Sequence, residues 1–165
     1  ARAVLLEALR EARGRGTLVA FDPNYRPRLW LSEEVARLSF SEALALTDIA
    51  LPTFPDEQAL YGDASMEATA RRIEEAGVGE IVVKDGAAPA LMFGKGKGRL
   101  FPAVATEPVD TTGAGDSFNG SYLAARLLGD RPEAAVARAH RVASAVVRVR
   151  GALAPFEVLR AAFAG

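Results

Sequence analysis

The sequence contains no cysteine, one histidine and one tryptophan among its 165 residues. The lack of cysteine excludes disulfide bonds, thiolate metal sites and a cysteine nucleophile, and it favours mildly a reducing, cytoplasmic location. The charges nearly cancel, since 20 basic and 21 acidic side chains leave a formal net charge of −1. No overall field therefore attracts the chain to nucleic acid or to an anionic membrane surface, and we expect neither partner.

Long hydrophobic runs are also missing, because charged residues interrupt every apolar run well before the length needed to cross a bilayer. The N-terminal residues 1–16 have the pattern of an amphipathic helix and not of a signal peptide. They also lack an initiator methionine, so we expect that a preceding segment has been removed. At 165 residues with 50% hydrophobic content, the chain is predicted to form a single domain unit, residues 1–165.

Helical and strand patterns alternate along the first half of the chain. Short apolar runs at 17–22, 48–52 and 80–85 are typical of buried strands, and helical periodicity lies between them. The predicted helices are about 4–12, 33–46, 57–61 and 65–76. Such alternation predicts an α/β fold with a mainly parallel sheet, helices on both faces, and ligands at the carboxyl ends of the strands.

The second half is predicted to begin with a β-hairpin, formed by strands at 90–93 and 100–104 around the glycine-rich stretch 94–98. Three helices follow, at about 114–128, 132–149 and 156–163. We find no internal repeat, low-complexity tract or linker.

The most informative motif is DTTGAGDSFNG at 110–120, which lies where a helix is predicted to begin. The backbone N–H groups of Gly113, Ala114 and Gly115 can converge there on an anion and form a phosphate cradle. Asp116 follows in the first helical turn, where it can accept the proton of an attacking hydroxyl. The alternative is that this glycine-rich turn with an acidic residue is an ordinary helix cap.

The same motif closely resembles the signature of the ribokinase-like (PfkB) family of carbohydrate kinases, in which DTxGAGD precedes a small residue and Phe. The resemblance extends over nearly the whole chain. It implies a three-layer αβα fold, catalysis by Asp116 with the amides of 113–115, and ATP and Mg²⁺ as cosubstrate and cofactor. The N-terminal strands, the GG-containing substrate motif and the β-lid of that family are absent from this sequence. We therefore expect the 165-residue chain alone to be inactive, since lids complete such sites.

The segment FDPNYRPRLW at 21–30 is similar to a strand-end segment of the family, and its NYRxxLW form is most similar to 2-keto-3-deoxygluconate kinases. Asn24 is implied to contact the nucleotide. Arg26 follows the strand closely, so its guanidinium can bind a carboxylate or a phosphate with two hydrogen bonds, and an acidic sugar would suit it. The alternative is a surface arginine that neutralises Glu33 or Glu34.

A third segment, LPTFPDEQALYG at 51–62, aligns with the family motif in which Asn and Glu organise magnesium. Thr53 replaces Asn, and Asp56 is in register with Glu while Glu57 is adjacent. These groups offer hard oxygen ligands for Mg²⁺, acting through water. The alternative is that Asp56 and Glu57 merely begin a helix.

VVKDGAAPA at 82–90 is similar to a family loop that borders the nucleotide. The resemblance implies contacts to phosphate and ribose from Lys84, Gly86 and Ala87, although Pro89 stands where the family often has Gly. His140 lies where relatives present Asn or His near adenine; the alternative is a structural histidine.

Asp110 and Thr112, with nearby backbone carbonyls, resemble the monovalent-cation site of some relatives, which would hold K⁺. The expected reaction is phosphorylation of a sugar acid, 2-keto-3-deoxygluconate, by ATP. A homo-oligomer is expected for the full-length protein. Another sugar such as fructose or ribose, or a non-catalytic nucleotide-binding domain, is the alternative. A dinucleotide oxidoreductase is disfavoured because GAGD follows the strands, and no P-loop motif is present.

Overall fold

A computed structural model describes residues 2–165. In chain order the elements are α1 (Arg2–Gly14), β1 (Ala20–Phe21), a 3-10 helical turn (Pro27–Leu29), α2 (Glu33–Leu44), β2 (Ile49–Ala50), α3 (Phe54–Tyr61), α4 (Met66–Glu75), β3 (Glu80–Val83), β4 (Ala90–Gly94), β5 (Lys97–Phe101), α5 (Ala114–Leu127), α6 (Pro132–Val146) and α7 (Phe156–Ala164). The predicted order of helices and strands is confirmed. Only the short 3-10 turn was not foreseen.

The five strands form one sheet in the order β1-β2-β3-β4-β5. β1 pairs with β2 in parallel, with Ala20 opposite Ile49, and β2 pairs with β3 in parallel, with Ile49 opposite Glu80. The mainly parallel sheet predicted for the first half is therefore confirmed. Its strands end at Phe21, Ala50 and Val83, so the residues that follow each strand lie at the carboxyl edge.

Serine caps define the starts of two helices. The Ser32 side chain accepts a hydrogen bond from the Val35 amide, and Ser65 accepts one from Ala68. Each hydroxyl satisfies an amide that has no partner inside the helix. By contrast, α3 begins at Phe54, three residues before its predicted start at 57, and its cap residue Thr53 makes no side-chain capping bond.

The hairpin is tighter than predicted. Lys95 and Gly96 have φ angles of 52° and 71°, and this pair of positive angles is typical of a two-residue turn between antiparallel strands. β4 therefore extends to Gly94 and β5 already begins at Lys97. The prediction that residues 94–98 form the turn and that the second strand reaches Val104 was wrong.

The chain divides into two compact units, one containing the residues up to Asp85 with Phe93–Arg99, the other Gly86–Met92 with Leu100–Gly165. In the first unit, Ile81, Val82 and Val83 of β3 are fully buried. Because consecutive residues of a strand point to opposite faces, burial of all three requires cover on both faces of the sheet. The assignment of 1–165 to one domain remains a prediction, since compact units do not by themselves define separate domains.

An aromatic cluster extends the core of the first unit beside β1. Phe40 of α2 makes edge-to-face contacts with Phe21, Tyr25 and Trp30, at ring-centroid distances of 5.9, 6.3 and 5.0 Å. Such pairs contribute about 0.5–1.5 kcal/mol each beyond the area that they bury. The cluster therefore anchors the segment after β1 to α2.

In the second unit, α5 and α6 pack through small residues. Ala125 of α5 and Ala135 and Ala139 of α6 have no exposed surface, and Tyr122 of α5 is fully buried as well. No helix within residues 2–165 has the length and apolar character of a membrane span.

Candidate active site

The first turn of α5 starts from a glycine that cannot readily be replaced. Gly113 precedes the helix with a φ of 76°, a left-handed conformation that favours glycine. A Cβ at this position would lie 2.9 Å from the carbonyl oxygen of Ala152. Both the backbone angle and the close approach of residue 152 therefore require glycine here.

The amides of this turn are only partly used within the protein. Ala114 donates to the carbonyl of Thr111, and Ser117 donates to that of Gly113. Among residues 2–165 the amides of Gly115 and Asp116 have no acceptor. The predicted cradle of residues 113–115 therefore loses the Ala114 amide, which already has an acceptor within the protein. The amides of Gly115 and Asp116 at this helix end can donate to an anion.

Asp116 is exposed in the first turn of α5. Within the described residues its carboxylate forms no ion pair or side-chain hydrogen bond. An acidic side chain buried in an internal salt bridge would be unavailable to a substrate. This one is available to accept a proton from a hydroxyl.

Asp110 fastens the glycine turn to the loop after α6. Its Oδ1 accepts from the Thr112 amide and its Oδ2 from the Gly151 amide, each at 2.9 Å. Hydrogen bonds from the Thr112 side chain and amide, followed by the Gly151 amide, lower the pKa of Asp110 to about 2. The carboxylate is therefore ionised at neutral pH and holds residues 110–113 in register with 151–152.

A cavity of about 480 Å³ lies within the second unit. It is lined by Gly86, Ala87, Ala103, Val104, Ala105, Thr106, Pro108, Thr111, Ala114, His140, Ala143, Ser144 and Val147. A volume of this order and a largely apolar lining suit a flat heteroaromatic ring with a few polar groups. The segment 103–106 was missed as a lining element, and its first two residues were assigned to the predicted strand at 100–104.

His140 contributes the buried polar group of this cavity. The imidazole ring of His140 packs edge-to-face on the ring of Phe118, at a distance of 5.1 Å between ring centroids. The imidazole is also hydrogen-bonded to the backbone of Phe101. Burial lowers the pKa of His140, and the Phe101 bond opposes this effect only in part. Its Nε2 is buried and has no partner among residues 2–165, so a ligand group in the cavity can satisfy it.

In the first unit, Arg26 lies against Asp56. Its Nη1 is 3.0 Å from Asp56 Oδ2 and 2.8 Å from the Tyr25 carbonyl. The Arg26 side chain is 54% exposed, so much of the guanidinium remains accessible. The alternative, in which Arg26 neutralises Glu33 or Glu34, is not what the structure shows, because Arg26 pairs with Asp56 and Glu33 pairs with Arg37.

Lys84 is nearly buried, and its Nζ lies 3.0 Å from Asp22 Oδ2. The resemblance implied a contact with phosphate or ribose, whereas the structure gives this lysine an acidic partner within the protein. Asp22 was missed as a site residue. Its position directly after β1 was the available signal.

Glu57 does not face a ligand site. It is 1% exposed, and its Oε2 accepts from Arg72 Nη2 at 2.8 Å, while Arg72 also binds Asp63. Burial raises the pKa of Glu57 more than the hydrogen bond and charge of Arg72 lower it. The assignment of Glu57 to magnesium is therefore corrected to a structural role, which leaves Asp56 as the acidic candidate.

Asn24 and Thr53 lie at the carboxyl edge, where they were expected. Asn24 has a φ of 41°, and its amide donates to Asp22 Oδ1 at 3.1 Å. Thr53 forms an isolated parallel bridge with Lys84. No three His, Asp or Glu side chains within residues 2–165 converge as a metal site. A magnesium ion at Asp56 would thus take most of its ligands from phosphate and water, as Mg²⁺ commonly does.

Three comparisons place this geometry among known proteins. The chain is 46% identical over 164 residues to 2-dehydro-3-deoxygluconokinase of Escherichia coli K12, covering 97% of this chain and 53% of that protein. It matches a Ribokinase II from E. coli, solved with ATP and Mg²⁺, at a TM-score of 0.80 and 30% identity, covering 90% of this chain and 48% of that one. A fructokinase double mutant from Vibrio cholerae, with fructose, ADP and potassium bound, matches at a TM-score of 0.86 and 25% identity, over 98% and 55% of the two chains.

The chain spans about half the length of the curated relatives that it matches. The model of the pfkB family of carbohydrate kinases matches residues 1–159. The structural matches confirm the predicted ribokinase-like α/β fold, and the family match confirms the resemblance drawn from DTTGAGD. The chain is therefore a member of the pfkB family of carbohydrate kinases.

Proposed function

We propose that the complete natural chain carrying residues 1–165, hereafter the complete chain, transfers the γ-phosphoryl group of ATP to a primary hydroxyl of a sugar acid. The acceptor proposed is 2-keto-3-deoxygluconate, which is the same compound as 2-dehydro-3-deoxygluconate, and the product is its 6-phosphate. The observation that carries the proposal is the first turn of α5, where two free amides and the unpaired carboxylate of Asp116 lie together.

The reaction follows from that arrangement. Asp116 accepts the proton of the acceptor hydroxyl while the oxygen of that hydroxyl bonds to the γ-phosphorus. The bond between the γ-phosphorus and the β–γ bridging oxygen breaks, and ADP leaves. The amides of Gly115 and Asp116 donate to the phosphoryl oxygens as charge redistributes. A carboxylate base suffices here because the transition state is loose and needs little early deprotonation.

We assign the nucleotide base and ribose to the cavity of the second unit, with Gly86 and Ala87 at its lining and His140 facing the base. The unpartnered Nε2 of His140 supports this assignment, because a neutral imidazole can exchange a hydrogen bond with a purine ring. His140 is neutral at physiological pH since burial lowers its pKa, so it acts in binding and not in proton transfer.

Asp56 and Thr53 are the residues proposed to hold Mg²⁺ through water, which would neutralise charge on the phosphate oxygens when bound with ATP. Asp110 and Thr112 remain candidates for contact with a monovalent cation, supported by the potassium-bound fructokinase relative. The absence of cysteine supports a cytoplasmic location.

Arg26 carries the proposed preference for acidic acceptors. Its exposed guanidinium can form two hydrogen bonds with a substrate carboxylate. We expect Arg26→Ala in the complete chain to lower kcat/KM for 2-keto-3-deoxygluconate by roughly 10²-fold, as loss of a charge-assisted contact predicts. Turnover of a neutral sugar such as fructose should change little.

The test is ATP consumption by the complete chain against a panel of keto-deoxy acids and neutral sugars. Arg28→Ala is the control, because Arg28 is an exposed arginine of the same segment. Phosphorylation of fructose or ribose in preference to every acid would contradict the acceptor assignment. Nucleotide binding without turnover of any acceptor would indicate the non-catalytic alternative.

A further inference from the structure

Lys84 lies at the carboxyl ends of the three parallel strands β1, β2 and β3 of the first unit. It follows β3 directly, and its side chain crosses the end of β2 to reach Asp22, which follows β1. Two strand spacings of about 4.8 Å each separate β1 from β3, so the side chains of Lys84 and Asp22 both extend toward each other across β2 to make this contact. The side chain is 9% exposed, so the ion pair is largely removed from water.

The side chain of Lys84 connects to Arg26 through a short series of contacts. Asp22 binds Lys84 through Oδ2 and the Asn24 amide through Oδ1. That second bond closes a turn in which Asn24 adopts its left-handed φ of 41°, a conformation that asparagine tolerates better than most residues. The turn sets the direction in which the chain reaches Arg26 two residues later.

The main chain of Lys84 fixes the other side of the same site. Its amide donates to Pro52 at 2.9 Å, and its carbonyl accepts from Phe54 at 2.7 Å. These bonds hold the start of α3, the helix whose first turn carries Asp56. Asp56 in turn binds Arg26, so both sets of contacts converge on one ion pair.

We propose that Lys84 is a positioning residue for acceptor recognition, which holds Asp22 and thereby the turn at Asn24 that presents Arg26 to a substrate carboxylate. The inference rests on the proposed function, because it assigns acceptor binding to Arg26. It differs from a direct role of Lys84 at the ATP phosphates. For such a role the ammonium group of Lys84 would have to leave the carboxylate of Asp22, with which it forms a largely buried ion pair. Asp22 would then lose this partner, which is costly for a buried charge.

The kinetic test compares Lys84→Met with Lys97→Met in the complete chain. Lys97 is an exposed lysine at the start of β5 and serves as the matched control. Lys84→Met should raise the KM for the acidic acceptor roughly 10-fold to 100-fold, because small displacements of binding groups have effects of this size. The KM for ATP should stay within about twofold, and Lys84→Arg should recover part of the loss.

A second variant guards against loss of folding. Asp22→Asn retains an acceptor for the Asn24 amide but weakens the contact with Lys84. The KM for the acidic acceptor should therefore rise, by less than in Lys84→Met, while the KM for ATP stays nearly unchanged. In the double variant the effects should be less than additive, as expected for groups that act through each other. A raised KM for ATP with an unchanged KM for the acid, in either variant, would overturn the inference.

Hydrogen exchange separates this inference from the proposed function. In Lys84→Met, peptides covering 22–30 should exchange faster than in the wild type, while peptides from α6 should not. If the wild-type chain phosphorylates no acid, the proposed function fails, yet the exchange result still decides the role of Lys84. Unchanged protection of 22–30 would refute the positioning role whatever the substrate.

Discussion

Replacement of Gly113 by alanine tests how the glycine turn is built. The residue has a φ of 76°, and an added Cβ would lie 2.9 Å from the Ala152 carbonyl oxygen and 3.3 Å from its Cα. The first effect is strain in the left-handed region, and the second is overlap with backbone that Asp110 holds in place through the Gly151 amide. Both effects act against the folded state.

The magnitude follows from these two terms. A non-glycine residue in the left-handed region costs about 1–2 kcal/mol, and overpacking typically costs about 1–3 kcal/mol. We therefore expect Gly113→Ala to lower the free energy of unfolding by roughly 2–5 kcal/mol. Affinity for ATP should fall as well, because relief of the overlap moves the start of α5 and its two free amides.

Gly120→Ala is the matched control on the same helix. Gly120 lies inside α5 without a positive φ, and a Cβ there meets no atom within 4 Å. Alanine in a helix interior is favoured over glycine by about 0.5–1 kcal/mol, so this variant should be more stable than the wild type. Urea unfolding of the complete chain, with ATP binding measured by calorimetry, compares the two. Equal behaviour of both variants would refute the reasoning about residue 113.

Two further predictions concern buried charge. Arg72→Met leaves Glu57 and Asp63 without their shared partner and should lower the free energy of unfolding by about 3–5 kcal/mol. Glu57→Gln keeps an acceptor for Arg72 and should lower the free energy of unfolding clearly less. Urea unfolding measures both variants, and equal losses would contradict the structural role of this cluster. Burial depresses the pKa of His140, so its contribution to stability is fully present above the unfolded pKa of about 6.5 and is lost as pH falls through the lower folded value. His140→Asn should flatten the dependence of unfolding free energy on pH across that window, and an unchanged slope would argue against a buried, neutral imidazole.

Most of the fold could be predicted because its signals are local. Ser32 and Ser65 mark helix starts within one turn, and the alternation of apolar strands with helices is enough to predict a parallel sheet. The start of α3 was misplaced at 57, although Thr53 at the cap and Pro55 in the first turn are both typical of a helix start. The hairpin was misplaced because a stretch of three glycines and two lysines does not show which two residues form the turn.

The candidate site was predictable only in part, for a physical reason. The positions of Gly113 and Asp116 at a helix start could be predicted from one contiguous motif, which also carried the family resemblance. Contacts between distant residues are different. The Lys84 pair joins residues 62 positions apart, and the partner of Glu57 lies on another helix. No local pattern shows which of two adjacent acidic residues turns inward.

The most direct test of the central claim is the turnover of Asp116→Asn in the complete chain. Glu157→Gln is its control, because Glu157 is also an exposed acidic residue in the first turn of a helix. Removal of the proposed proton acceptor should lower kcat by about 10²–10⁴-fold and leave ATP affinity nearly unchanged, while Glu157→Gln should behave as the wild type. Phosphoryl transfer by Asp116→Asn at the wild-type rate would contradict the account.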